Sequence, residues 1–185
     1  MQQHELMAIA MLLLVTTGIA AEDVTHPQLR DELISMREQD QKYRLPGGRD
    51  EQLAARADLA NQYRLRAIVK EFGWPTVPMV GAKAVEGAWL IVQHADNDLA
   101  FQRTALASIT PLADRGLIPK PHVAYLYDRV SKPQRFGTQG ACVGKGKWEP
   151  REIADAAAVE ERRKAMDLEP LAEYIGFAST VLCSE

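Results

Sequence analysis

The residues with the most chemical capacity in this 185-residue chain cluster in "WLIVQHADND", positions 89–98. An apolar run from Trp89 to Val92 ends in Gln93, His94, Asp96, Asn97 and Asp98. Imidazole is the side chain whose ordinary pKa suits proton transfer near neutrality. Asp96 or Asp98 on one ring nitrogen would fix the tautomer and make His94 a candidate general acid/base. The competing reading is structural. Either aspartate suits the N-cap of a following helix, and a histidine in a last helical turn meets the negative end of the dipole. One histidine with two carboxylates is also a minimal metal set, but a short local cluster of this kind is weak grounds for an ion.

Three other segments carry polar groups of the same kind. "EQDQKYR" holds Asp40, Gln41 and Arg44, and the i,i+4 spacing of Asp40 and Arg44 also suits a helix-supporting pair. "AYLYDRV" holds Asp128 and Arg129; the guanidinium is either a bidentate grip on a carboxylate or phosphate, or one half of an ion pair between helices. "FGTQG" holds Thr138 and Gln139 between glycines, which allow a backbone to come close to a ligand. Lys132, Arg135, Lys145 and Lys147 make the same stretch basic, either as a solvated face or as a contact for an anion or an envelope component. "GACVGKG" lacks the spacing of a phosphate-binding loop and no Ser or Thr follows its lysine. No G-x-S-x-G is present. The reading calls for no cofactor.

The elements that must hold these groups are helical. Apolar spacing and turn signals predict helices over about 26–44, 50–72, 82–94, 98–115 and 122–131, with Asp50 capping the second. The helix at 82–94 is apolar around most of its circumference, as a central buried helix is. Pro111 is expected to kink or end the helix at 98–115. Four glycines between 132 and 150 predict a β-hairpin at about 133–150 that turns near Gly144 and Gly146. A last long helix is predicted at 151–166, with a short one in "EPLAEYIGF". The class is mainly α, a single helical domain over 21–185 with one small hairpin.

Residues 1–20 read differently. The run "LMAIAMLLLV" from Leu6 to Val15 is followed by the small residues Gly18 and Ala20, the pattern of a cleaved signal peptide, although "MQQHE" lacks the usual basic residue. The run is short of the roughly 20 residues that span a bilayer. A periplasmic or secreted chain without a membrane span is therefore expected. In that compartment Cys142 and Cys183 form either one disulfide or two free buried thiols. Two thiols without a CxxC do not suggest zinc. A formal net charge of -3 argues against a general nucleic-acid binder.

The runs "DQKYR" (40–44), "GWP" (73–75), "VGAKAVEGAWLIVQHADND" (80–98), "FQ" (101–102), "AYLYDRV" (124–130), "FGTQ" (136–139), "RR" (162–163) and "LEPLAEY" (168–174) together resemble the bacterial domain-of-unknown-function family six-six-two-four. The resemblance implies a mostly helical architecture. It implies no reaction and carries over no catalytic residue. The matching runs are polar as well as apolar, and polar groups are costly to bury without partners. Asp40, Gln41, Arg44, Gln93, Asp98, Gln102, Asp128, Thr138 and Gln139 are therefore the candidate ligand-binding set of one polar pocket, around His94, Asp96 and Arg129 as its candidate catalytic set. The rival is a fully satisfied structural network. The resulting expectation is an exported protein with acid/base, hydrolase-like chemistry on a small polar ligand or envelope component. The alternative is a non-catalytic module that binds a ligand or a protein.

Overall fold

The computed structural model describes residues 24–44, 48 and 50–183. The expected signal peptide and most of the "LPGG" turn lie outside the described residues. The helices are α1 (Pro27–Lys42), α2 (Glu51–Phe72), α3 (Val77–Val80), α4 (Ala82–Gln93), α5 (Leu99–Asp114), α6 (Lys120–Val130), α7 (Val159–Ala165) and α8 (Leu171–Leu182). One antiparallel hairpin joins β1 (Gly140–Gly144) to β2 (Lys147–Pro150). The fold is mainly α with one small hairpin, and among the described residues no helix is long and apolar enough to cross a membrane.

The main core forms around α4, which buries Ala84, Val85, Ala88, Ile91 and Val92 against residues of α1, α2, α5 and α6 such as Leu33, Leu65, Ile109 and Leu126. Small residues on α4 let α1 come very close. A Cβ on Gly87 would lie 2.8 Å from the Leu33 carbonyl oxygen and 3.0 Å from Arg37 Cβ. The two helices run in the same direction. The backbone of Thr25 and His26 bonds to Pro78 and Met79, ahead of α4. Leu33 then meets Gly87, and Asp40 meets His94. This order brings the C-terminal ends of both helices together.

Local signals set several helix boundaries. Asp50 accepts hydrogen bonds from Gln52 N and Leu53 N, both at 3.0 Å, and caps α2. Asp98 accepts from Phe101 N at 2.9 Å and caps α5. Pro111 lies inside α5 and does not end it, since the helix continues to Asp114.

The predicted helix at 151–166 is shorter and starts later, at Val159. Residues 151–154 are drawn instead onto the preceding loop: Arg151 N donates to Gln139 O, Ala154 N donates to Gln134 O, and Glu152 O accepts from Gln134 N. Asp155 then takes a left-handed backbone (φ 46°) ahead of a 3-10 turn at Ala156–Ala158. The strands occupy only residues 140–150 of the predicted hairpin region. Residues 133–139 form a loop closed around a buried carboxylate, as described below. Within it Gly137 has φ +73°, and a Cβ there would meet Leu171 and Ile153 side-chain carbons at 2.8 and 2.9 Å.

Cys142 and Cys183 are bonded, which ties β1 to the end of α8 across 41 residues. Trp148, Tyr174, Ala178 and Cys183 form the small apolar cluster beside that link.

Two predictions follow from this packing. Gly87→Ala gains about 1 kcal/mol of helix propensity, but its methyl group is forced against a backbone carbonyl. We expect a net loss of about 1–3 kcal/mol in urea unfolding, as for an overpacked core. Intact protein should be two hydrogen masses lighter than its reduced form by mass spectrometry. Replacing both cysteines with serine should cost about 2–4 kcal/mol, from the larger conformational entropy of the unlinked unfolded chain.

Candidate functional site

His94 is the C-cap residue of α4, and its ring reaches the last turn of α1. Nδ1 lies 2.9 Å from both carboxylate oxygens of Asp40, whose side chain is 1% exposed. An ionised carboxylate only accepts hydrogen bonds, so Nδ1 is the donor and the neutral ring keeps its lone pair on Nε2. No protein group among the described residues bonds Nε2. The carboxylate expected to orient the imidazole was Asp96 or Asp98, and the structure puts Asp40 there instead. The reason is tertiary: the α1–α4 contact carries Asp40 beneath the ring, whereas both nearby aspartates point elsewhere.

Asp40 is held from several sides. Gln41 Nε2 donates to its Oδ2 at 2.6 Å. Arg44 Nη1 lies 3.3 Å from its Oδ1 and also donates to its backbone oxygen at 2.6 Å. Burial pushes the Asp40 carboxyl upward, but the His94 hydrogen bond, the charges of His94 and Arg44, and the Gln41 amide outweigh it and hold it below the usual carboxylate range. Arg44 continues outward to Asp58, donating through Nη2 at 2.6 and 2.7 Å.

The second arginine makes a parallel arrangement. Arg129 donates through Nε and Nη2 to Asp96 at 2.7 and 2.6 Å, and through Nη1 to Gln139 Oε1 at 2.9 Å. Asp96 is thus an ion-pair partner and not a cap. His94, Arg44, Asp58, Asp96, Arg129 and Leu59 line a cleft of about 490 Å³. His94 and Arg129 also face a second cleft of about 280 Å³, with Trp89, Gln93, Tyr125 and Gln139 on its walls. The imidazole therefore sits where two clefts meet.

Other members of the predicted set are placed away from this junction or are consumed in holding it. Asp98 caps α5 with one oxygen and pairs with Arg66 through the other. Gln102 is buried and donates to Val92 O at 3.0 Å, fastening α5 to the end of α4. Gln93 is buried at the α4–α6 joint; with its amide oxygen turned to Leu126 N (3.0 Å) and Trp89 Nε1 (3.2 Å) it ties the two helices. Asp128 is buried and accepts from the backbone of Arg135, Phe136 and Thr138 and from Thr138 Oγ1, at 2.8–3.2 Å. It is the anchor of the 133–139 loop, and so presents Gln139 to Arg129. Buried Gln134 closes the same loop, bonding the backbone of Gln139 and Arg151 at 2.8 Å.

Asp58 escaped the sequence reading. It lies on α2 with no local signal, and only the meeting of α1 and α2 gives it Arg44 as a partner. Asp40, Asp58 and His94 each offer a ligand atom within 4.8 Å of the others, the one such metal-competent group among the described residues. The Arg44 guanidinium hydrogen-bonds the Asp58 carboxylate and ion-pairs with that of Asp40 at 3.3 Å, and His94 Nδ1 is turned onto Asp40. Arg44 thus offsets one of the two carboxylate charges from within the chain. His122 is no rival to His94: burial pushes its imidazole down to about 4, and its ring stacks on Trp89 with centroids 4.6 Å apart.

Residues 27–182 match a family described as of unknown function, DUF6624. The chain belongs to this family. No curated protein and no solved structure matches it. In this DUF6624 chain the site residues, from Asp40 on α1 to Gln139 in the loop before β1, all fall within the matched span.

The lowered Asp40 carboxyl makes a pH prediction with a definite sign. A group that is more acidic when folded contributes stability above its unfolded pKa, and that contribution is lost as pH falls through the folded value. Wild type should lose stability on acidification below about pH 4. Asp40→Asn should be about 1–3 kcal/mol less stable at pH 7, with a flatter acid limb in denaturant unfolding measured across pH. An unchanged acid limb would contradict the assignment.

Proposed function

We propose that this is an exported protein whose charged cleft binds a small polar ligand of the cell envelope, and that His94 acts on it as a general acid/base in hydrolase-like chemistry. The observation that carries the reading is the Asp40–His94 pair at the junction of two clefts, with Nε2 left without a protein partner among the described residues. Nε2 would take a proton from water or a ligand hydroxyl and return it to the leaving group. Asp40 would hold the ring and favour the imidazolium as it forms. It touches no ligand and is a positioning residue. Arg129 and Arg44 keep further N–H groups for a carbonyl or anionic oxygen, since a guanidinium has five donors. The two arginines face Asp58 and Asp96 across the same cleft, so its lining charges balance. That balance favours a ligand of little net charge. Export is supported by the apolar run Leu6–Val15 with its small-residue boundary and by the disulfide, a bond that persists in oxidising compartments.

A second reading, a non-catalytic binding module, is favoured by one specific observation. Each cleft arginine is already paired with a carboxylate, so much of the polar network is satisfied without any reaction.

The two separate in one experiment. Small polar envelope molecules (amino sugars, amino acids, short peptides) are screened by thermal shift, and the hits are incubated with protein and followed by mass spectrometry. We expect a hit to be turned over by wild type and His94→Gln to lower turnover at least about 100-fold, the usual scale of acid/base catalysis, while keeping binding. Binding without turnover in both proteins would establish the module instead.

A further inference from the structure

The basic residues of the 132–147 segment do not stay together in the fold. Lys145 and Lys147 go to the exposed hairpin, where Lys147 pairs with Glu149 at 2.8 Å. Lys132 and Arg135 go to the opposite end of the segment and line a groove of about 740 Å³. There they are joined by Arg103 from α5 and Arg162 from α7. Four cations thus face one acidic group, Asp155, giving the lining a formal charge of +3 in a chain whose net charge is -3.

These cations are arranged unlike those of the His94 cleft, where both arginines grip carboxylates. Arg103, Lys132 and Arg135 form no ion pair among the described residues, and Glu152, which lines an adjoining cleft with Lys132, makes none with it. Arg135 lies over the Tyr127 and Phe136 rings, 5.6 and 6.0 Å from their centroids, which leaves its charge uncompensated. Arg162 is fixed in place: its Nε donates to Arg135 O at 2.8 Å, and its Nη2 donates to the carbonyls of Ala154 and Asp155 at 2.7 and 2.9 Å. Its Nη1 lies 3.8 Å from Asp155 Oδ2, beyond hydrogen-bond length. A guanidinium anchored through one edge presents the rest of its donors at no further ordering cost, and several uncompensated cations in one concave surface raise the local concentration of anions. Among the described residues Arg103 and Lys132 pair with no carboxylate, so neither serves as an ion-pair link between elements.

We propose that the groove lined by Arg103, Lys132, Arg135 and Arg162 is a binding site for a soluble ligand carrying several phosphate groups, distinct from the His94 clefts. Spread cations suit a multiply charged oxyanion better than a single small ion, and guanidinium groups match phosphate geometry.

The test is calorimetric titration of the full chain with inorganic tripolyphosphate, with orthophosphate and vesicles of phosphatidylcholine containing phosphatidylglycerol as separate arms. We expect saturable tripolyphosphate binding that is at least tenfold tighter than orthophosphate binding and weakens as salt is raised. Arg103→Gln with Arg135→Gln should weaken it at least tenfold. Both side chains are exposed, so the double variant should keep the wild-type melting temperature. Lys145→Gln with Lys147→Gln should leave binding unchanged. The proposal is overturned by an absence of tripolyphosphate binding at millimolar concentration, by equal losses in the two double variants, or by vesicle binding that tripolyphosphate does not displace.

Discussion

Everything at the candidate site depends on how closely α1 lies against α4. The absence of a side chain at Gly87 lets the Leu33 carbonyl oxygen come within 2.8 Å of the place a Cβ would take, closer than Cβ contacts allow. A glycine inside a helix is unfavourable by about 1 kcal/mol relative to alanine, so its presence on α4 is a local cost offset by tertiary packing. With the two helices in the same direction, that contact brings a buried carboxylate, Asp40, beneath the imidazole at the end of α4. Moving the helices apart would take from Asp40 the imidazole that, with Gln41 and Arg44, holds its charge in this buried position.

The remaining polar residues serve two layers around this pair. One layer faces the clefts: Arg44 with Asp58, and Arg129 with Asp96. The other lies behind it and fixes backbone. Asp128 gathers the amides of the 133–139 loop, and Gln134 stitches that loop to residues 151–154. The result is that Gln139 is held by its own backbone while its side chain steadies Arg129. On the outer side, the disulfide and the Trp148–Tyr174 contact hold the hairpin and α8, which form part of the second cleft's wall.

Much of this was legible in the sequence, because the relevant signals are local. The apolar periodicity of α1, α2, α4 and α5, the capping role of Asp50, and the turn between Gly144 and Gly146 each follow from a few neighbouring residues. The segment from 151 to 158 was not legible. Its composition suits a helix, yet its backbone groups are taken by Gln134 and Gln139, partners set by the loop around Asp128. The site divides along the same line. His94 could be singled out from its type and setting. Its partner could not, since Asp96 and Asp98 are near in sequence while Asp40 is 54 residues away. Asp58 was invisible for the same reason, and the role of Arg162 depends on loop carbonyls of Arg135, Ala154 and Asp155 that only the fold brings to it.

The central claim is that Asp40 fixes the His94 ring with its proton on Nδ1 and its lone pair on Nε2. The most direct measurement is nitrogen-15 NMR of the histidine side chains, recorded at a pH where the ring is neutral, on wild type and Asp40→Asn. Wild-type His94 should be held as the Nδ1-protonated tautomer, and this preference should weaken in the variant while the backbone spectrum stays folded. A wild-type ring protonated on Nε2, or a tautomer indifferent to Asp40, would contradict it.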